Sequence, residues 1–154
     1  IMVGGDREAF VSCQDVFAAM GTNIIYECGA GEGQHTKMAN QIALAGAVAS
    51  VSEAIAYARR TGLDVETMLA SISKGAAGSW QMTNNAPKMV AGDMAPGFFI
   101  KHFIKDMAIA DEEAKAAGLT MPVLEEVLEM YRELDRRGEG DLGTQAVIHY
   151  FDEK

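Results

Sequence analysis

The chain has 154 residues, 49% hydrophobic and 23% charged, enough to bury one sizeable core. Thirteen Lys and Arg stand against 22 Asp and Glu, a formal charge of −9, so no basic field exists to hold a phosphate backbone and nucleic-acid binding is disfavoured. Two cysteines, Cys13 and Cys28, are too few for a disulfide framework and suit a reducing, cytoplasmic compartment. The longest uncharged run, Met38 to Ser52, is interrupted by Asn40, Gln41, Ser50 and Ser52 and reads as too short and too polar to span a membrane. From Asp106 onward there are thirteen acidic and five basic residues, so the earlier part is nearly neutral and able to hold a small anion.

Ile1 to Val3 reads as a short apolar strand, Gly4-Gly5 as a turn, and Asp6 as the N-cap of one helix running to about Met20. A second strand is expected from about Asn23 to Glu27, where β-forming residues cluster. Two strands cannot form an independent sheet, so this strand-helix-strand piece is expected to complete a sheet whose other strands lie upstream. The opening Ile-Met-Val-Gly-Gly-Asp lacks a natural start, and the chain is expected to be part of a longer protein.

After Gly29-Ala30-Gly31-Glu32-Gly33 the pattern changes to helices punctuated by Gly, Pro and Asp. One long helix is expected from about Gly33 to Thr61, stopped by Gly62, with Ile42 to Ala58 apolar almost all round and buried on most faces. Asp64 caps a helix to about Lys74, Ser79 to Ala91 forms one or two short helices, and His102 to Ala117 is a helix closed by Gly118. Thr120 and Pro122 start another that runs to Arg137, and Asp141 opens the last, ending in Tyr150 and Phe151. The fold from residue 31 onward is therefore expected to be all-α, with six or seven helices.

Several residues in this frame could carry chemistry. The glycine run fails as a dinucleotide fingerprint, because Gln34 stands where the third glycine belongs, and a close backbone approach at a hinge explains it as well. Lys37, Asn40 and Gln41 fall at i, i+3 and i+4, so they project from one side of the first turns of the long helix. A first-turn lysine is usually a solvated surface residue. Here the helix turns apolar at once, and a partly desolvated lysine beside two amides is suited to exchanging a proton with a bound hydroxyl. Lys105 belongs to the basic cluster Lys101, His102 and Lys105 after Phe98 and Phe99, which reads equally as an amphipathic helix with its charges in water. Trp80, the only tryptophan, reads as core before pocket wall. His35, His102 and His149 have no metal-ligand spacing, and the methionines read as core fillers.

The segment Gly31-Glu32-Gly33-Gln34-His35-Thr36-Lys37-Met38-Ala39-Asn40-Gln41 resembles the junction and catalytic helix of the β-hydroxyacid dehydrogenases. That group includes 3-hydroxyisobutyrate dehydrogenase and tartronate semialdehyde (2-hydroxy-3-oxopropionate) reductase and is related to 6-phosphogluconate dehydrogenase. Met2 to Asp6, Gly75 to Trp80, Pro96-Gly97-Phe98 and Lys105-Asp106 match later landmarks in order, so the resemblance spans essentially the whole chain. It implies a mainly all-α fold: a helical bundle like the C-terminal domain of 6-phosphogluconate dehydrogenase, with one long central helix, after a short β-α-β remnant of a Rossmann domain. Residues 1–30 are then the edge of a nucleotide-binding domain, and 31–154 a catalytic-lysine and oligomerisation domain.

The resemblance also implies roles. Lys37 is the proton-transfer residue of an NAD- or NADP-dependent oxidoreductase acting on a small 3-hydroxy acid or its semialdehyde. Asn40 and Gln41 contact the substrate, Phe98 and Trp80 line its pocket, and Lys105 lies against the nicotinamide. The Asn40-Gln41 pair matches tartronate semialdehyde reductases, whereas 3-hydroxyisobutyrate enzymes carry Asn-Asn and the sugar-phosphate branch His-Asn. Asp141-Leu142-Gly143-Thr144-Gln145 departs from a more acidic family pattern. The cofactor fingerprint lies upstream of Ile1, so the chain alone is expected to be inactive. The Ala-rich helices suggest a homodimer or homotetramer. Two other readings stay open, a catalytically silent helical dimerisation module and an unrelated helical ligand-binding or regulatory protein.

Overall fold

The computed structural model describes residues 1–152. They divide into two compact units, Ile1–Gln41 and the residues from Ile42 onward. The division falls inside the long helix.

In the first unit, β1 (Met2–Val3) pairs in parallel with β2 (Ile25–Tyr26), Met2 opposite Ile25 and Val3 opposite Tyr26. The connection is helical, as expected, but it is two helices, α1 (Arg7–Ser12) and α2 (Gln14–Met20), not one. Asp6 does cap α1, accepting from Ala9 N–H at 2.8 Å. The break at Cys13 has a local cause: Ser12 Oγ bonds back to Ala9 O and Gln14 Nε2 takes Phe10 O, so side chains compete for the helix carbonyls. Phe10 stacks on Phe17 and against Tyr26, which ties the connection to β2.

The helix α3 (Glu32–Thr61) begins in this unit and continues into the next. It ends at Gly62, whose φ of +79° is the left-handed conformation that a helix stop requires. By length and composition α3 is apolar enough to cross a membrane. Ala45, Val48, Val51, Ile55 and Ala58 are nevertheless buried inside the protein, as in a core helix. Ala43, Ser50, Glu53 and Tyr57 form an exposed stripe, so the expectation of burial holds for most faces but not all.

The second unit is otherwise built from α4 (Val65–Ile72), α5 (Trp80–Asn84), α6 (Ala86–Ala91), α7 (Ile100–Ala116) and α8 (Pro122–Arg136). A 3-10 turn (Thr144–Ile148) and α9 (His149–Asp152) follow. Asp64 and Ser79 cap α4 and α5 through the N–H groups of Thr67 and Met82. Helices α7 and α8 pack together with Phe103 edge-on to Tyr131, and Ile100, Phe103, Met107 and Ala110 of the one and Leu124, Val127, Leu128 and Tyr131 of the other are buried. These residues recur at three- and four-residue intervals, the apolar stripe of an amphipathic helix. Met82, Met89 and Met107 are buried as expected, while Met2 and Met20 are exposed.

The last helix does not open at Asp141. Ile100 N–H donates to Leu142 O, Lys101 N–H to Gly140 O, Gly143 N–H to Met94 O and Thr144 N–H to Phe98 O. Residues 139–142 form a turn closed by Leu142 N–H on Glu139 O, its carbonyls Gly140 O and Leu142 O satisfy N–H groups at the start of α7, and the helical segment begins only at Thr144. Asp141 pairs with Lys101 instead.

Candidate active site

The first turns of α3 are placed by backbone contacts. A Cβ on Gly33 would lie 2.8 Å from Met2 O, and one on Gly4 would lie 2.6 Å from Gly29 O, so the strand end and the helix start meet glycine to glycine. That is the close approach the glycine run suggested. The turn before it places Cys28 at φ +77°, an uncommon conformation for a residue with a side chain. Tyr26 donates its hydroxyl to Gly5 O at 2.9 Å, and Thr36 Oγ1 bonds Glu27 Oε2 at 3.0 Å, which locks the strand, the turn and the helix start together.

On this support Lys37, Asn40 and Gln41 converge on one atom. Lys37 Nζ donates to Gln41 Oε1 at 2.7 Å, and Asn40 Nδ2 donates to the same oxygen at 2.9 Å. Gln41 is wholly buried, whereas Lys37 and Asn40 are exposed. Lys37 is therefore not the partly desolvated lysine expected, because only its hydrogen bond is sheltered. It also lines a shallow recess of about 450 Å³ with Ile1 to Gly4, Phe17, Gly33 and Gln34. An ammonium carries three donors. With one engaged by Gln41, the group keeps hydrogen-bonding and proton-transfer capacity toward a molecule at the recess.

The other three expected site residues lie in the second unit. Trp80, the first residue of α5, is 66% exposed, which overturns its reading as core. Phe98, in the segment before α7, is half-buried against Phe103, with ring centroids 5.6 Å apart. Lys105 on α7 is exposed and pairs with Asp106 at 3.1 Å. The charges of this segment are not all in water: Asp106 is buried, and Lys101 lies over the Phe99 ring.

Gln145 enters the sequence pattern only as the last residue of the departing 141–145 motif. It is buried, and its Nε2 donates to both Asp93 O and Ala95 O at 3.0 Å, pinning the turn that leads into Phe98. The available signal was Gly143 two residues earlier: a Cβ there would lie 2.3 Å from Gln145 Oε1.

Residues 31–151 match the family model described as NAD-binding of NADP-dependent 3-hydroxyisobutyrate dehydrogenase. An oxidoreductase of Bacillus subtilis (strain 168), YkwC, is 52% identical over 147 residues, covering 96% of this chain and 51% of the relative. The 2-hydroxy-3-oxopropionate reductase of Escherichia coli (strain K12) is 32% identical over 148 residues, covering 96% and 51%. Among solved structures, 3-hydroxyisobutyrate dehydrogenase from Salmonella typhimurium superposes with a TM-score of 0.88 at 29% identity, over 96% of this chain and 52% of that one. The chain thus spans about half the length of the relatives it matches.

Proposed function

Because the chain belongs to the family described as NAD-binding of NADP-dependent 3-hydroxyisobutyrate dehydrogenase, we propose that it is the helical part of an NAD(P)-dependent oxidoreductase acting on a small 3-hydroxy acid. The observation that carries this reading is the convergence of Lys37 and Asn40 on Gln41 Oε1 at the edge of a recess.

A nicotinamide cofactor, when bound, supplies or accepts the hydride at the carbon that bears the oxygen. Lys105, an exposed ammonium paired with Asp106, would supply a hydrogen-bond donor to the nicotinamide part of that cofactor. When a semialdehyde is reduced, Lys37 Nζ gives a proton to the carbonyl oxygen as the carbon gains the hydride, and the product is the 3-hydroxy acid. When the acid is oxidised, neutral Lys37 takes the hydroxyl proton. Asn40 hydrogen-bonds the substrate beside the reacting oxygen.

Tartronate semialdehyde is the preferred substrate on this reading. Asn40-Gln41 is the pair of that reductase type, and a relative of that name is 32% identical. Assembly as a homodimer or homotetramer is part of the same proposal, supported by exposed Val123 beside the small residues Gly46, Ala49 and Ser50. A cytoplasmic location is supported by the two exposed, unbridged thiols of Cys13 and Cys28.

The test is nicotinamide absorbance with a chain extended upstream to the family's length, against tartronate semialdehyde, 3-hydroxyisobutyrate and related 3-hydroxy acids. Turnover is expected, and Lys37→Ala should lower it by about a hundredfold or more. Cofactor binding without turnover on any acid would leave the silent helical module, and full activity in Lys37→Ala would remove the lysine from the chemistry.

A further inference from the structure

Gln41 was expected to touch substrate, yet its geometry suits another task. Its side chain is wholly buried, and its Oε1 accepts from two neighbours, Lys37 Nζ at 2.7 Å and Asn40 Nδ2 at 2.9 Å. An ammonium has no acceptor site, so the Gln41 atom that faces it is the carbonyl oxygen, which fixes the orientation of the amide. A carbonyl oxygen has two lone pairs, and both are engaged within the chain. Neither remains for a substrate hydroxyl, and burial of the whole side chain keeps a substrate from reaching the amide nitrogen.

We propose that Gln41 is a positioning residue, a buried clamp that holds the Lys37 ammonium and the Asn40 amide in their working directions. This rests on the proton-transfer role of Lys37 given above. A lysine has a flexible four-carbon stem, and a proton must cross to the substrate over a short, aligned path. The four-residue spacing on α3 places the acceptor one helical turn from Lys37, and burial keeps water from competing for it. The same clamp orients Asn40: with one Nδ2 N–H engaged by Gln41, its second N–H and its Oδ1 stay available to a substrate oxygen or hydroxyl.

The first arm of the test needs no activity. In the 154-residue chain, the Lys37 ammonium is followed by 15N NMR, assigned through its disappearance in Lys37→Arg, with exposed Lys74 as reference. A held ammonium should exchange its protons with water about tenfold more slowly than Lys74, since its hydrogen bond must open first. Gln41→Met, close in shape and without the acceptor, should bring Lys37 to the Lys74 rate, while Gln41→Glu should keep it slow. If Gln41→Met does not fold, Gln41→Asn withdraws the acceptor by one methylene and should give the same result. Equal exchange at Lys37 and Lys74 in the native chain, or no change in the acceptor-deficient variants, would overturn the clamp.

The second arm uses the upstream-extended chain. Gln41→Met should lower kcat by about ten- to a hundredfold and leave KM within about threefold, because misplacement costs rate more than binding. In a Lys37→Ala background it should cost nothing further, as expected of a residue acting through the lysine. A raised KM with kcat intact, or an added loss in that background, would make Gln41 a substrate contact and overturn the proposal. Slow Lys37 exchange in a wild-type chain without turnover supports the clamp and sinks only the dehydrogenase reading.

Discussion

Gly4 and Gly33 face each other backbone to backbone: a Cβ on Gly4 would lie 2.8 Å from Gly33 N, and one on Gly33 would lie 3.0 Å from Gly4 N. Gly33→Ala also drives its methyl to 2.8 Å from Met2 O, and backbone cannot yield as a flexible side chain can. The variant should lose about 1–3 kcal/mol of stability, an overpacking cost, and should loosen the turn that presents Lys37. Urea denaturation beside the Lys37 exchange rate reads both effects, and an unchanged midpoint would show that the strand end and helix start separate freely.

Tyr131 is buried between α7 and α8, edge-on to Phe103, with its hydroxyl 2.6 Å from Thr144 O. Burial pushes its phenol well above the ordinary value near 10. A neutral acid with a raised folded-state pKa adds stability that is present in full below the unfolded value and shrinks as pH rises above it, because the unfolded chain ionises first. Absorbance at 295 nm should show one tyrosine resisting ionisation until the protein unfolds. Tyr131→Phe should abolish this alkaline term and cost about 1–2 kcal/mol near neutrality, since Thr144 O loses its buried donor.

Asp64 gives the opposite pH dependence. Its carboxylate is held below the usual value of 3.8 by hydrogen bonds from the side chain and backbone of Thr67 at the start of α4. A depressed folded-state pKa contributes stability above the unfolded value and loses it as pH falls through the folded one. Between about pH 5 and pH 2 the wild-type protein should lose stability that Asp64→Asn does not lose. Parallel melts of the two proteins across that range check it, and coincident pH profiles would remove the cap's electrostatic role.

Helix ends were legible because they are local. Asp6, Asp64 and Ser79 bond their own first turns, and Gly62 supplies a left-handed residue where Thr61 stops. The side-chain triad was legible for the same reason, since i, i+3 and i+4 on one helix must converge. What failed depends on neighbours distant in sequence. Asp141 looked like a cap, but the carbonyls on either side of it, Gly140 O and Leu142 O, are claimed by the N–H groups that open α7. Trp80 looked like core by residue type, yet its place at the first position of a short helix leaves it in water. Gln41 looked like a substrate contact, and only burial together with two donors on one oxygen shows that its acceptor is taken.

Gln145 sets a similar buried amide to structural work near Phe98. Its two N–H donors satisfy Asp93 O and Ala95 O, while Asp93 Oδ1 accepts from Ala95 N–H, so the turn before Pro96-Gly97 is held from both sides. Gln145→Ala removes two donors from partly buried carbonyls and opens a void, at a cost of about 2–4 kcal/mol. The damage should concentrate in residues 93–98, because the core stripe of α7 against α8 does not use this amide. Hydrogen exchange should therefore accelerate at Gly143, whose N–H rests on Met94 O, and at Thr144, whose N–H rests on Phe98 O, before it accelerates at Met107 in the middle of α7. A uniform rise across α7 and the turn would mean that Gln145 supports the whole unit and not the approach to Phe98.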